Sequence, residues 1–283
     1  MTWSEGYRYF LQHVQDLYDP TEADVITSFL FENFASVTKK DIIRNGRDPM
    51  PEEIFNKLES PFARIMQHEP VQYVIGKATF CRLEFHVNSS VLIPRPETEE
   101  LVEKFLQLDA DKNASVLDIG TGSGCIAISI FKKRPDLQIT AIDKSYTAVE
   151  TAAKNASVHK ATIHFQEIDF LDESQWTSLE KFNYILSNPP YIPVLERDQL
   201  AIHVKDHEPE AALFPPGEDS LIFYRKIAVF GKSHLAADGK ILLELHSEKA
   251  AECLQIFTAA GYDSHILKDL FGKERMLIIT PNQ

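Results

Sequence analysis

The apolar residues in the N-terminal part of the chain recur at helical spacing. One predicted helical face carries Tyr7, Leu11, Val14 and Tyr18. Asp19-Pro20 ends this helix, and Thr21 with Asp24 resembles a capping box. A second apolar stripe then runs through Val25, Phe29 and Leu30. Ser60-Pro61 resembles the cap and first turn of another helix. The spacing therefore predicts a helical N-terminal domain over residues 1–76.

After this helical part the pattern changes to a period of two. Phe85 and Val87 alternate with the polar residues Glu84 and His86, which is typical of a strand with one buried face. We predict a strand pair within residues 79–87, in a β-hairpin linker that covers residues 77–93.

From Ser115 onward, short apolar segments alternate with helical ones. The predicted strands cover residues 116–119, 138–143, 163–169, 182–187 and 240–245. Two last strands, joined by a short turn at Leu270–Lys273, are expected to form a closing hairpin. Strand–helix alternation implies a doubly wound, mostly parallel sheet. We therefore expect an α/β fold, with a seven-stranded Rossmann-like sheet in residues 94–283 and a smaller N-terminal helical domain.

Charge and composition narrow the classes of partner. The 283 residues carry a net charge of −13; residues 1–90 hold 9 Lys/Arg against 13 Asp/Glu, and the remaining residues hold 20 against 29. Neither part is suited to neutralising phosphates, so direct binding to nucleic acid is not expected. No apolar run approaches the ~18 residues of a membrane span. The cysteines Cys81, Cys125 and Cys253 are far apart in sequence, which favours a reducing, cytoplasmic environment.

A glycine-rich loop follows the first strand of the predicted sheet. It consists of Gly120, Thr121, Gly122, Ser123 and Gly124. Glycines at such a turn let the backbone approach a ligand, and the next helix offers free N–H groups at its N-terminus. The dinucleotide fingerprint requires glycine at position 125, where this chain has Cys125. The loop instead resembles that of S-adenosylmethionine-dependent methyltransferases, whose sheets usually end in a hairpin. We predict that these five residues bind that cofactor.

Polar residues at the ends of the next two strands are further candidates for cofactor binding. Asp143 ends the second strand, where a carboxylate can accept hydrogen bonds from both hydroxyl groups of a ribose; an ordinary helix cap is the alternative. Asp169 and Phe170 close the third strand. The carboxylate is suited to the adenine amino group and the ring to stacking on the base, although Phe170 also fits simple core packing.

The segment Asn188-Pro189-Pro190-Tyr191 follows the fourth strand, at the edge where ligands bind in such sheets. An amide nitrogen is a poor nucleophile because its lone pair is delocalised into the carbonyl group. The Asn188 side-chain oxygen and the Pro189 carbonyl can accept its two hydrogens, the prolines restrict the backbone, and Tyr191 can pack against the flat group. We predict that Asn188, Pro189 and Tyr191 are catalytic, that all four residues bind substrate, and that Asn188 also contacts the cofactor. A turn without chemistry would rarely fall at this place in the sheet.

Taken together, these motifs make the sequence resemble the HemK-type protein-(glutamine-N5) methyltransferases. The resemblance rests on residues 69–76, 91–99, 120–124 and 188–191, with weaker similarity at 208–213 and 243–244. It implies methyl transfer from S-adenosylmethionine to the side-chain amide of glutamine in the Gly-Gly-Gln motif of peptide-chain release factors, which supports translation termination. It also implies that the N-terminal domain recognises the substrate protein.

Two departures from the family pattern concern loops. This chain has Cys81-Arg82 between the hairpin strands, where the family usually has glycine, and His246-Ser247 where the family favours glycine after Glu244. The expected outcome at both places is a change of turn geometry.

Two other functions are weighed against this one. The Asn-Pro-Pro-Tyr motif also occurs in DNA and RNA amino-methyltransferases, which a basic face would favour. A scaffold that binds translation factors without catalysis would not require Asn188 or the glycine loop. His203 and His207 have zinc-ligand spacing, but without a third ligand we predict no metal site and interpret the segment as a polar loop.

Overall fold

The computed structural model describes residues 1–282 and divides them into two units. The first unit holds residues 1–77 and 201–207, and the second holds residues 78–200 and the chain from Glu208 onward.

The helices are α1 (Trp3–Val14), α2 (Pro20–Leu30), α3 (Lys39–Asn45), α4 (Glu52–Ile65), α5 (Val71–Ile75), α6 (Pro96–Leu106), α7 (Cys125–Lys133), α8 (Tyr146–His159), α9 (Ile202–Lys205), α10 (Glu210–Leu213), α11 (Ile222–His234) and α12 (Ala250–Ala259). The strands are β1 (Lys77–Phe80), β2 (Leu83–His86), β3 (Ser115–Ile119), β4 (Gln138–Asp143), β5 (His164–Glu167), β6 (Phe182–Ser187), β7 (Leu235–Glu244), β8 (Tyr262–Lys268) and β9 (Glu274–Pro281). A π-helical turn at Phe31–Ala35 follows α2, and short 3₁₀ turns lie at Glu173–Ser178, Val194–Gln199 and Ser247–Lys249.

The first unit is helical, as predicted, but two local expectations were wrong. Asp19 caps α2 by accepting hydrogen bonds from the backbone of Thr21 and Glu22, so the capping box does not form. This phase of the helix buries Ala23, Ile26, Thr27 and Leu30. It leaves Val25 and Phe29 46% and 37% exposed.

The second wrong expectation concerns Ser60-Pro61. No helix starts there, because α4 continues through Pro61. A proline inside a helix removes one backbone hydrogen bond. Pro61 lies on the buried face with Leu58 and Ile65, and burial of this face keeps the helix continuous.

The short segment 201–207 belongs to the first unit and contains α9, so it is not a loop throughout. His207 Nε2 hydrogen-bonds with the carbonyl oxygen of Gln67 at 3.0 Å, and the His203 ring lies 6.3 Å from that of Tyr18. In residues 1–282 no group of three or more His, Cys, Asp or Glu residues is placed to hold a metal ion.

The second unit contains the predicted seven-stranded sheet, with strand order β5-β4-β3-β6-β7-β9-β8. Strands β3 to β7 pair in parallel, and β9 pairs antiparallel with both β7 and β8. The mostly parallel sheet and its closing hairpin are therefore confirmed.

The sheet is buried on both faces. Neighbouring residues of β3, Val116 and Leu117, belong to apolar clusters on opposite faces, and so do Ile185 and Leu186 of β6. A strand covered on both faces is apolar at successive positions rather than alternate ones. This explains why the sequence shows these strands as continuous apolar runs.

The strands β1 and β2 form the predicted hairpin, with a turn of two non-glycine residues. Cys81 and Arg82 have φ angles of 48° and 62°, the left-handed conformation that usually favours glycine. The backbone N–H of Cys81 donates a hydrogen bond to Glu99 Oε1 at 2.8 Å. This bond ties the turn to α6.

No helix in the described chain has the length and apolar character to cross a membrane.

One buried side chain joins the hairpin to the glycine loop. Asn155 of α8 accepts a hydrogen bond from the backbone N–H of His86 at 2.7 Å and donates to the carbonyl oxygens of His86 and Ser123 at 3.0 and 2.9 Å. These three bonds join the last residue of β2 to the glycine loop through α8.

We expect Asn155→Ala to destabilise the protein, because the variant leaves buried backbone groups unpaired, at a cost of about 1–3 kcal/mol. Urea unfolding measures the change. The control is Lys154→Ala, at the exposed neighbouring position of the same helix. Equal midpoints for the two variants would contradict this role.

Candidate active site

A cavity opens at the edge where the parallel strands end. Its volume is ≈ 930 Å³ including its open mouth. Strand pairing sets Ile119 beside Ile142 and Ser187, and Ser187 beside Leu243. The residues that follow β3, β4, β6 and β7 are therefore neighbours in space, although they are far apart in sequence.

The glycine loop forms one wall of this cavity. Gly120, Gly122 and Gly124 have φ angles of 73°, 55° and 81°. The backbone N–H groups of Gly120 and Thr121 both donate to the carbonyl oxygen of Ile142 at 2.9 Å, which holds the loop against the end of β4.

The glycines of the loop serve different purposes. Gly120 and Gly122 line the cavity, and a Cβ atom at either would meet no protein atom within 4 Å. A Cβ at Gly124 would lie 3.0 Å from Ile128 and 3.1 Å from Ala152. Gly124 therefore lets α7 and α8 pack closely, whereas Gly122 leaves space for a ligand. Thr121 and Ser123 are buried and lie outside the cavity wall.

Asp143 lines the cavity next to Gly122. Its carboxylate accepts hydrogen bonds from the backbone N–H groups of Gly122 and Ser145, each at 3.0 Å. Burial raises the pKa of Asp143, and these hydrogen bonds oppose the rise. Ser145, not Asp143, caps α8. The carboxylate is thus fixed in place, and the alternative of an ordinary helix cap does not apply.

Asp169 and Phe170 also line the cavity. Asp169 Oδ1 accepts a hydrogen bond from the backbone N–H of Leu171 at 3.0 Å. The Phe170 ring packs on Trp176 and Phe230, with centroids 5.4 and 5.3 Å apart. The side chain packs in the core and also lines the cavity. Core packing is therefore observed, and stacking on the adenine stays a prediction.

The Asn-Pro-Pro-Tyr segment divides between the cavity and the protein interior. Asn188 and Pro190 line the cavity, whereas Pro189 and Tyr191 do not. The Tyr191 hydroxyl donates to Glu244 Oε1 at 3.0 Å. Burial, together with the charge of Glu244, raises the pKa of Tyr191. The ring therefore supports the segment from behind, rather than lying on the cavity wall where sequence reasoning had placed it.

Two residues behind Asn188 had no assigned role in the sequence analysis. Asn188 Nδ2 donates to Thr98 Oγ1 at 2.9 Å, and Thr98 Oγ1 donates to Glu244 Oε2 at 2.6 Å. Glu244 is 1% exposed, and burial raises its pKa while the hydrogen bonds from Thr98 and Tyr191 lower it. The one available signal was that both residues fall within the stretches similar to the family.

Asp118 is a further residue that sequence reasoning left without a role. It is fully buried at the start of the glycine loop, and its Oδ2 accepts a hydrogen bond from the Thr121 hydroxyl at 2.7 Å. In the described structure its Oδ1 has no hydrogen-bond partner. Burial raises the pKa of Asp118 from 3.8 to about 7. Hydrogen bonds from Thr121 and from the backbone of Ala127 oppose this rise, and Asp118 is not among the residues that line the cavity.

Comparison with known proteins adds to this geometry. The PrmC N-terminal domain model matches residues 10–76, and the methyltransferase small domain model matches residues 96–230. A release factor glutamine methyltransferase of Bacteroides thetaiotaomicron is 38% identical over 273 residues, which cover 95% of this chain and 96% of the relative. One of Lactococcus lactis subsp. lactis is 36% identical and covers 99% of this chain and all of the relative. The chain belongs to the release factor glutamine methyltransferase family. The resemblance seen in the sequence is thereby confirmed.

Membership of this family makes the protein an S-adenosylmethionine-dependent methyltransferase. A solved methyltransferase of Pyrococcus furiosus shares the fold, with a TM-score of 0.52 and 19% identity over 77% of this chain and 95% of that one. The cavity fits such a cofactor, because it combines an apolar wall at Ile142 and Phe170, two acidic groups and the open space beside Gly122.

We expect Gly122→Ala to abolish cofactor binding while the protein stays folded, because the new methyl group enters the cavity and meets no protein atom. Isothermal calorimetry with S-adenosylmethionine measures the binding. The control is Gly217→Ala, at an exposed glycine with a φ of 81° and the same open surroundings but outside the cavity. Both variants carry the left-handed strain of about 1–2 kcal/mol. Unchanged affinity in Gly122→Ala would remove the loop from the binding site.

Proposed function

We propose that this protein transfers the methyl group of S-adenosylmethionine to the side-chain amide nitrogen of glutamine in the Gly-Gly-Gln motif of peptide-chain release factors. The observation that carries the proposal is the fixed amide of Asn188 on the cavity wall, in a chain whose full-length relatives bear that activity in their names. Modification of this motif supports translation termination.

Asn188 and Pro189 are the proposed acceptors for the substrate amide. The Asn188 nitrogen donates one of its two hydrogens to Thr98, which turns the nitrogen towards Thr98, and the side-chain oxygen is the acceptor that this residue offers at the cavity. The predicted second acceptor is the Pro189 carbonyl; Pro189 itself does not line the cavity, so its part in holding the second hydrogen of the substrate nitrogen stays a prediction. A nitrogen held in this way cannot rotate about the terminal C–N bond, and its lone pair is directed at the methyl donor. Pro190 and Tyr191 complete the substrate site by fixing the backbone.

The bound cofactor supplies a methyl group already activated on a sulfonium. The new bond forms between the substrate nitrogen and the methyl carbon as the sulfur–methyl bond breaks and S-adenosylhomocysteine leaves, and the amide then loses one proton to water. No general base is required to begin the reaction, so alignment is the main task of the protein. Acceptors already oriented in the folded protein do this without reorganisation during the reaction.

The cofactor is proposed to lie along the ends of β3, β4 and β5. Gly120 to Gly124 supply its backbone cradle, Asp143 accepts from the ribose hydroxyls, and Asp169 with Phe170 holds the adenine.

We propose that the helical segment 1–76 recognises the release factor, since this is the part that a separate domain model matches. The hairpin segment 77–93 links it to the methyltransferase domain at 94–283. The acidic balance of both parts favours a protein substrate over naked nucleic acid. The protein is proposed to act in the cytoplasm, where release factors function.

The direct test is incubation of purified release factor with this protein and labelled cofactor. We expect one methyl group on the Gly-Gly-Gln glutamine by mass spectrometry, and none on a release factor whose motif glutamine is replaced by alanine. Parallel reactions contain DNA and ribosomal RNA. Efficient labelling of either nucleic acid, with none on release factor, would favour a nucleic-acid amino-methyltransferase instead.

Substitutions at Asn188 test the mechanism. Asn188→Ala removes one acceptor, and loss of such a contact costs about 10²–10³ in turnover. Asn188→Asp keeps an acceptor but adds a charge beside the sulfonium, so partial activity is expected. Cofactor affinity, measured by calorimetry, should change far less in both. A near wild-type rate for Asn188→Ala would disprove this mechanism while leaving the family assignment intact.

A further inference from the structure

We propose that Thr98 and Glu244 are positioning residues that determine which atom of the Asn188 amide faces the substrate. The inference rests on the proposed function and concerns the same site. The three side chains form a chain of hydrogen bonds that begins at a buried carboxylate and ends at the cavity.

With Glu244 ionised, the order of donors in this chain has one consistent solution. Burial raises the pKa of Glu244, whereas the hydrogen bonds from Thr98 and Tyr191 and the charge of Arg275 favour the ionised form. The ionised carboxylate can only accept, so the Thr98 hydroxyl gives its single hydrogen to Glu244 across 2.6 Å. Its remaining lone pairs can then only accept, and the group that donates to Thr98 is the nitrogen of Asn188 at 2.9 Å. The orientation of an asparagine amide follows from its hydrogen-bond network. Here the network directs the nitrogen inward and leaves the oxygen for the substrate.

The reverse orientation would slow the reaction. An Asn188 nitrogen in the cavity would present hydrogens to the hydrogens of the substrate amide. The substrate nitrogen would then lose one of its two acceptors. Asparagine alone has nothing to prevent this, since a half-turn of its amide gives a side chain of nearly the same shape.

Glu244 is held in place independently of Asn188. Its Oε1 accepts from the Tyr191 hydroxyl at 3.0 Å, and its backbone oxygen accepts from the Tyr224 hydroxyl at 2.8 Å. The charge of Arg275 favours the ionised carboxylate, and the parallel register places β7 beside β6. A buried carboxylate with these partners is a fixed reference for the orientation of Thr98.

The decisive variant is Glu244→Gln. A glutamine can keep the bond from Tyr191 at its oxygen and donate to Thr98 with its nitrogen. The Thr98 hydroxyl hydrogen then points at Asn188, which must turn its oxygen inward. The bonds to Tyr191 and Thr98 both persist, yet the wrong atom faces the substrate. We expect kcat for release factor methylation to fall about 10- to 100-fold, the range known for residues that orient metal ligands. Cofactor affinity should stay near that of the wild type, and the melting temperature shows how far the second N–H of the glutamine, which has no acceptor among these partners, lowers stability.

Variants at Thr98 give the second measurement. Thr98→Val removes the hydroxyl while keeping the shape, and should lower kcat to a similar extent. Thr98→Ser restores the hydroxyl and should recover most of the activity. Thr162→Val, at an exposed position with no hydrogen bond to Asn188, is the matched control and should behave as wild type. Equal rates for Thr98→Val and Thr98→Ser would overturn the proposal, because packing alone would then explain the residue.

A double-mutant cycle separates positioning from general damage. If Thr98 acts through Asn188, Thr98→Val should have little further effect in the Asn188→Ala background. An additive loss in the double variant would overturn the proposal. Wild-type protein that fails to methylate release factor would instead contradict the proposed function, whereas active wild type with unaffected Glu244→Gln and Thr98→Val would contradict only this inference.

Discussion

The parallel register of β4, β3, β6 and β7 is the constraint on which the site depends. It brings Ile142, Ile119, Ser187 and Leu243 into line across the sheet. Because each strand ends at the same edge, the residues that follow them meet there. A shift of the β6–β7 register would move Glu244 away from Asn188. It would break the hydrogen bonds that connect Asn188 to the buried carboxylate through Thr98. The rigid core on both faces of the sheet therefore matters to the chemistry as much as to stability.

Two carboxylates remain buried beside this edge, and neither improves the stability of the fold. Burial raises the pKa of both Asp118 and Glu244, which means that their ionised forms are disfavoured by the folded protein. A raised pKa in the folded state means that stability declines as the pH rises and these groups ionise. Asp118 keeps an oxygen without a partner. Such an unfavourable arrangement is typical of a site maintained for binding rather than for stability.

The sequence predicted the sheet well because its signal is local. A strand buried on both faces is apolar at successive positions, as at Ile185 and Leu186, and β4 and β6 lie at the predicted residues. The buried face of each helix was harder to predict in the N-terminal part. Val25 and Phe29 indicated one face of α2, but in the structure α2 begins after the cap at Asp19 and buries a different face. Pro61 was misread for a similar reason, since only tertiary burial explains a proline inside α4.

The site was predictable in part for the same physical reason. A glycine loop and an Asn-Pro-Pro-Tyr segment are contiguous motifs, so both were found. The partners of Asn188 were not found, because they are far away in the sequence. Thr98 lies 90 residues from Asn188, and Glu244 lies 146 residues from Thr98. No spacing rule connects residues on α6, β6 and β7 before the fold is known. Tyr191 shows a related limit, since nothing in the motif indicates that its hydroxyl donates to the buried carboxylate of Glu244.

The chemistry at Asn188 also explains why the motif alone left the substrate class open. A pair of oxygen acceptors can hold any planar NH₂ group, whether it belongs to glutamine or to a nucleic-acid base. Discrimination between these substrates must come from parts of the protein outside the motif. The relatives match this chain along nearly its whole length, and the helical residues 10–76 match a domain model of their own. The matches to these relatives therefore extend well beyond the motif, into the parts of the chain from which such discrimination has to come.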